Sequence, residues 1–431
     1  MTIDLAKIFL WEKIKLYNLY RWEKESVVRF LFLTGMTIAF LGSLNPWFMW
    51  PLGIYYIILS SILFALSIGI SYTISDKYYD FPNYILPLLI ITLLLFYQTF
   101  IRTKGINDYI ANIFHIIIFY TLFKVNKKEI RNLCDLLSKG IGGFLVISMF
   151  YFLLYMIGFP LPSRDAHFLT TYSYSNYYFF LLDDRDIFTI IPRFHSVFLE
   201  PGHMGTLTVM LLFTQIGHWK KWYNISLMIA SLISFSLAAY GLLVAVIFLG
   251  LWVRGKDVIK KAIYVVGLLA VITISSFYYN GGNNLLHDLI MIRLEVEDGQ
   301  LAGDNRVTDD FEADFQSLMN SSDALWGRDR NTETFGNSGF RVFIYDYGLI
   351  GMLLVIVFYI VALYNPIHIK ALIAVFIIAA LNFIIRGYPL WYANFIPLYC
   401  IAHCAFDLSS SSEKISINNN YDNNQSIICS P

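Results

Sequence analysis

The chain has 431 residues, of which 57% are hydrophobic, 17% aromatic and only 14% charged. Soluble domains carry about 25% charged and 45–50% apolar residues, so a mean hydropathy of +0.58 excludes an ordinary soluble surface and implies a polytopic membrane protein. With 31 basic and 31 acidic residues the formal net charge is zero, which points to no nucleic acid or other polyanionic partner.

In chain order, residues 1–26 mix charged and aromatic side chains and contain no small-residue cleavage site. Between Ile3 and Trp22, Leu5, Ile8, Phe9, Leu16 and Leu19 alternate with Lys7, Lys13, Lys15 and Arg21. That pattern predicts an amphipathic helix on the cytoplasmic membrane face. A spanning helix needs about 20 mostly apolar residues. Stretches of that kind run at Val27–Leu44, Leu52–Ile74, Tyr84–Ile101, Ile106–Phe123, Ile141–Phe159, Ser196–Gly217, Ala262–Tyr279, Val342–Leu363, Ala371–Ile385 and Pro389–Phe406. Trp222–Val253 carries no charge and is too long for one span. Lys220 and Lys221 precede it, and Arg254, Lys256, Lys260 and Lys261 follow it. Basic residues collect on the cytoplasmic side, so a hairpin turning within Ser234–Gly241 is expected. The predicted fold class is an all-α polytopic membrane protein of about twelve spans across residues 27–406, with both termini in the cytoplasm. The polar tail, 407–431, reads as disordered.

This arrangement puts two long connections, 160–195 and 280–340, on the outer side. The first is crowded with aromatics, including Tyr172, Tyr174, Tyr177, Tyr178, Phe179 and Phe180. Those rings suit anchoring at a membrane interface. The second is acidic, and Val307, Phe311, Phe315 and Leu318 in it have the spacing of an amphipathic helix. The basic residues expected outside are Arg102, Lys104, Arg164, Arg185, Arg193, Arg293, Arg306, Arg328, Arg330, Arg341 and Arg386. All but one are arginines, whereas lysine dominates inside. The positive-inside rule treats the two alike. Arginine adds a planar fork that grips phosphate or carboxylate bidentately, so the outer face is expected to hold an anion, unless these arginines pair with the acids of their own loop.

No P-loop, GxGxxG or HExxH is present. Nucleotide-driven transport and zincin chemistry therefore have no support, and no cofactor or metal is implied. The cysteines Cys134, Cys400, Cys404 and Cys429 form no CxxC pair. Two segments stand out. Ile191–Gly205 (IPRFHSVFLEPGHMG) brings Arg193, His195, Glu200 and His203 to the outer mouth of a span, with Pro201 and Gly202 breaking the helix there. Arg193 and Glu200 are candidates for a structural pair or for chemistry. Trp326–Gly351 (WGRDRNTETFGNSGFRVFIYDYGLIG) carries Arg328, Asn337, Arg341 and Asp346 into another span.

With Arg193…Glu200-Pro201, the serine-containing Ser234–Gly241 turn, and Asn337-Ser338…Asp346-Tyr347-Gly348-Leu349-Ile350-Gly351 at the end of a large outer loop, the chain resembles the Wzy-type O-antigen and capsular polysaccharide polymerases and the related O-antigen ligases. The resemblance covers roughly 191–351 and the span count. Ligases and many relatives carry His-Asn and Glu-x-Gly-x-x-Gly at the last of these positions. Asn337-Ser338 and Asp346 stand there in this chain, and the missing histidine argues against the ligase branch. The resemblance implies a membrane glycosyltransferase, GT-C-like, in the bacterial inner membrane. Its donor would be a polyprenyl-diphosphate-linked oligosaccharide, and its expected partners a flippase and a chain-length regulator. It also implies that Arg193 and Arg341, then Arg386, neutralise the leaving diphosphate, with Glu200 or His195 as base. Arg328, Asn337, Tyr174, Tyr177 and His203 would line the substrate. A lipid-oligosaccharide flippase or another transporter is the reading from a different class. The absence of an internal repeat and the size of the outer loop weigh against it.

Overall fold

The computed structural model describes residues 5–73, 78–79, 84–101, 105–168, 172–184, 191–255, 258–282, 284, 287–288, 296–297, 300–301, 308–329, 339–366 and 369–404. The chain is mostly helical. Helices α1 (Leu5–Gly42), α2 (Tyr55–Ser71), α3 (Ile85–Ile101), α4 (Ile106–Lys124) and α5 (Lys127–Met156) lead to a small sheet, β1 (Arg164–Phe168), β2 (Tyr172–Asn176) and β3 (Leu181–Asp183). Helices α6 (Pro201–Thr214), α7 (Trp222–Ile233), α8 (Leu237–Arg254) and α9 (Val258–Tyr278) follow. After a two-stranded ribbon, β4 (Val296–Glu297) and β5 (Gln300–Leu301), come α10 (Asp309–Met319), α11 (Phe340–Leu363), α12 (Ile369–Ile385) and α13 (Tyr392–Cys404).

Among the described residues, five helices are long and apolar enough to cross a membrane: Lys24–Gly42 within α1, α4, α5, α8 and α11. The apolar helices α2, α3, α7 and α12 are shorter. The first helix differs from its sequence expectation in having no break, since the surface segment and the first apolar stretch form one rod of 38 residues. The apolar run at 222–253 does divide, and the turn is tighter than expected. Phe235 takes a positive φ of 46°, and Ser236 caps α8 by accepting from the Ala239 N–H.

Helices α6 and α13 form the centre. Every residue of α6 is buried, as is α13 from Tyr392 to Ala402. At 14 and 13 residues, each is about 20 Å long, well short of a hydrocarbon core about 30 Å thick. They pack on each other, and α6 also packs on α5, α7 and α8. An apolar helix buried on all sides has protein rather than lipid around it, so irregular backbone at its ends is tolerated.

The aromatic connection after α5 contains strands that the sequence reading left as loop. β1–β2–β3 is an antiparallel meander, with Tyr174 opposite Ala166 on one side and Asp183 on the other. The run Tyr172-Ser173-Tyr174-Ser175-Asn176 alternates large and small side chains, and Tyr174 and Asn176 turn into the protein. In the second connection, α10 buries Phe311, Phe315 and Leu318 as its spacing predicts. Thr308 caps it by accepting from the Phe311 N–H, and Asp309, Asp310 and Glu312 lie in its first turn, where the helix dipole favours acids. Val307 lies outside the described residues, as do the 407–431 tail and Asn337. Helix α11 is kinked at Gly348, whose φ of 66° places it against the carbonyl oxygen of Leu325. Any Cβ there would collide with that backbone.

Candidate functional site: a buried arginine at the start of a central helix

The segment before α6 is held by four separate elements. Phe194 N donates to Ile233 O at 3.3 Å, Trp47 N to Val197 O at 3.0 Å, and Leu181 N to Ser196 O at 2.7 Å. The Tyr174 hydroxyl donates to Leu199 O at 2.7 Å. Ser196 sits at a positive φ of 52°, which breaks the helix expected to begin at that position. The first helical residue is Pro201, whose missing N–H suits it to this place. The chain therefore arrives at α6 fixed, with Glu200 as the residue before the first turn.

Glu200 meets Arg386, from the end of α12. The Arg386 Nη1 donates to Glu200 Oε2 at 2.9 Å. The other carboxylate oxygen accepts from the Tyr172 hydroxyl at 3.2 Å, and His203 Nε2 lies 3.9 Å from Oε2. The arginine side chain is 3% exposed and the glutamate 25%. Gly202 explains how the guanidinium fits. A Cβ on Gly202 would occupy the position of Arg386 Nη2, so the bare backbone at the second helical position makes the berth for the cation. Arg386 Nε and Nη2 are buried and make no hydrogen bond among the described residues. A buried charged group with unsatisfied donors is costly unless something pairs with it. The site therefore joins an ion-paired arginine, two unused donors and the positive end of the α6 dipole. Such an arrangement is built to accept an anion.

The Arg386 side of the site is equally fixed. Its N–H donates to Asn382 O and its carbonyl accepts from Tyr388 N, both at 2.7 Å. Gly339 and Gly387 let two chain segments meet there, since a Cβ on Gly339 would strike Ile384 O and one on Gly387 would strike Gly339 O. Beyond the turn, the Tyr388 and Trp391 rings stack at 4.5 Å, and His203 meets Trp391 edge-on at 5.0 Å.

The structure thus brings together three residues expected from sequence, Glu200, His203 and Arg386. Of the other candidates, Asn337 lies outside the described residues. Arg193 is half-buried in the fixed segment leading to α6, and Glu200 takes Arg386 as its ion-pair partner. His195 is fully buried, with Nδ1 on the Phe198 carbonyl oxygen at 2.5 Å. Tyr174 is 1% exposed and packs on Trp50 and His195. Tyr177 stacks flat on Phe180 at 4.7 Å, and burial raises its phenol pKa. These two tyrosines serve as wall, with their ring faces taken by protein.

Arg341 and Arg328 pair with acids of their own loop. Arg341 Nη1 meets Glu312 Oε2 at 2.6 Å, at 38% and 33% side-chain exposure. Arg328 reaches Asp323 at 2.9 Å and Asp314 at 3.3 Å, and its N–H donates to Tyr345 O. The Asp323 hydrogen bond raises the Arg328 pKa above its ordinary value. These pairs tie α10 and the 3-10 turn at Ser322–Leu325 to α11. Arg164, expected on the outer face, lies over the Trp47 and Tyr178 rings at 5.1 and 5.7 Å. Among the described residues, no group of three His, Cys, Asp or Glu side chains is placed to hold a metal ion.

The sequence reading missed Gly202 as a partner of Arg386, and it missed the Tyr388–Trp391 pair. One signal was present: Arg386-Gly387-Tyr388-Pro389 interrupts an otherwise apolar run, and a cation beside a glycine is costly in such surroundings without a purpose. No family model, no curated protein and no solved structure matches this chain.

Proposed function

We propose that the chain is a membrane glycosyltransferase that polymerises polyprenyl-diphosphate-linked oligosaccharide units at the outer face of the bacterial inner membrane. About twelve helical crossings with the outer connections facing away from the cytoplasm complete that reading. The observation that carries it is Arg386, a buried guanidinium held by Glu200 with two donors unused. In the proposed reaction, an acceptor-sugar hydroxyl oxygen bonds to the anomeric carbon of the donor. The bond from that carbon to the diphosphate oxygen breaks, and its electron pair leaves with the diphosphate. Charge therefore grows on the leaving group, and preorganised cationic donors there lower the barrier. Arg386 supplies them next to the α6 N-terminus. Glu200, a quarter exposed beside the cation, takes the hydroxyl proton. His195 is too enclosed for that task. Arg341 and Arg328 keep the outer loop folded, and Arg193 lies in the segment that leads to α6. A flippase and a chain-length regulator are the partners this reading calls for.

The test is reconstitution with lipid-linked oligosaccharide accumulated by cells that lack this protein, followed by a gel of the sugar products. Wild-type protein should give a ladder. Arg386→Gln should lower turnover per molecule of protein by about a hundredfold or more. A full ladder from Arg386→Gln, or none from wild type, would overturn the reading.

A further inference from the structure

At the far end of α6 from Arg386, cations from three elements gather around the connection to α7. Arg131, Asp135, Lys139 and Gly143 follow one another on α5 about one helical turn apart and so share one face. Arg131 Nη1 donates to Thr214 O at 3.0 Å, and Gln215 Nε2 donates to Asp135 Oδ1 at 2.7 Å. Further along, the Trp222 ring lies over Gly143, 3.5 Å from where a Cβ would stand, and Ser226 Oγ donates to Gly142 O at 2.7 Å. Helix α7 therefore begins against the face of α5 that carries Lys139. Lys221 directly precedes Trp222, and the Arg254 guanidinium, from the end of α8, lies against Gly217. Burial and the charges of Lys221, Arg131 and Arg254 hold the His218 imidazole, in the middle of this connection, below its ordinary pKa. The acid facing it is Asp135, whose carboxylate is already engaged by Gln215 and, at 3.6 Å, by Arg131. Lys139, Lys221 and Arg254 are exposed and make no ion pair among the described residues. An apolar track leads away from these cations. Trp222, Ile225, Ile229 and Leu232 form one exposed stripe of α7, and Val146, Ile147 and Phe150 lie exposed on α5 just beyond Gly143.

We propose that this surface seats an anionic phospholipid, with its headgroup phosphate on Lys139 and Lys221 and an acyl chain along the exposed stripe of α7 and α5. Like charges gathered in one place repel, and an anion there relieves them. A tryptophan at the end of an exposed apolar stripe marks the headgroup level of a bilayer, which puts the two lysines where lipid phosphates lie. Basic sites between helices at that level take anionic headgroups, and each lysine or arginine near such a surface strengthens binding about fivefold. A free phosphate meets the same charges but has nothing to lay along the apolar track. No residue from the Arg386 end of α6 enters this site.

Native mass spectrometry of the full chain in a neutral detergent, titrated with dioleoylphosphatidylglycerol, dioleoylphosphatidylcholine or inorganic phosphate, tests the seat. The two lipids have the same tails, so the difference between them reads the headgroup charge alone. Wild type should bind phosphatidylglycerol about tenfold or more tighter than phosphatidylcholine. Lys139→Gln and Lys221→Gln should each weaken phosphatidylglycerol binding about fivefold, and the double variant should bring it close to that of phosphatidylcholine, whose own binding stays within about twofold. Lys139→Arg and Lys221→Arg keep the charge and should keep the affinity. Arg341→Gln removes one charge at the opposite end of α6 and should change neither lipid. Equal affinity of wild type for the two lipids, or undiminished phosphatidylglycerol binding in the double variant, overturns the lipid seat. Inorganic phosphate bound as tightly as phosphatidylglycerol would make this a site for a soluble anion and overturn it equally.

Discussion

Replacing Gly202 with alanine should have opposite effects depending on whether Arg386 is present. In a helix, alanine is favoured over glycine by up to about 1 kcal/mol, and less at the second helical position. In this chain the new Cβ falls on Arg386 Nη2, and the neighbouring Nη1 holds Glu200 at 2.9 Å. The guanidinium has to move and the pair breaks. Breaking a buried pair costs about 3–5 kcal/mol, and the low end applies because Glu200 is 25% exposed. Gly202→Ala should therefore destabilise the protein by about 2–3 kcal/mol net. For a chain of this length that corresponds to a fall in Tm of about 2–4 °C. In an Arg386→Ala background the obstruction is gone, and Gly202→Ala should be neutral or raise the melting temperature slightly. The assay is thermal unfolding of the four proteins, wild type, both single variants and the double variant, purified in one detergent. A coupling of about 3 kcal/mol with this change of sign is expected. An equal fall in Tm from Gly202→Ala in both backgrounds would refute the account of Gly202 as the berth for the cation.

Arg193→Lys keeps the charge and loses the planar fork. If Arg193 also contacts the diphosphate, polymer formation should fall nearly as far in Arg193→Lys as in Arg193→Ala, whereas full-length product from a stable Arg193→Ala protein would remove Arg193 from the site. Arg341→Ala should cost about 1 kcal/mol or less, because its pair with Glu312 is partly exposed, and should leave product length unchanged on the same gels. Gly348→Ala puts a side chain at a φ of 66° against Leu325 O, so membrane protein levels should fall sharply in immunoblots, and normal accumulation would show that the kink is dispensable. In a cysteine-free background, an impermeant thiol reagent should label Ser321→Cys from outside and leave Ser412→Cys untouched, and the opposite pattern would invert the proposed topology.

Composition alone determined that this chain is an apolar, mostly helical membrane protein, because helix formation in such surroundings depends on local hydrogen bonding and on long runs without charge. Most helices lie where those runs are. The spacing of Phe311, Phe315 and Leu318 foretold α10 and its buried face, since a helical period is a local property. Glu200, His203 and Arg386 stood out as polar groups in apolar company. The sequence did not hold their pairing. Glu200 and Arg386 are far apart in the chain, and the sequence offered Arg193 as the partner until the folded segments showed that the Arg386 guanidinium reaches the carboxylate. Nor did it separate Arg341, tied to Glu312, from Arg386, whose Nε and Nη2 are unused. All are arginines expected on one side, and only packing decides which of them is already neutralised. The strands at 164–183 were hidden because aromatic residues suit an interfacial loop as well as a sheet. Gly202 was legible as a helix breaker, while its value to Arg386 came from the close approach of the end of α12, a contact that exists only in the tertiary structure.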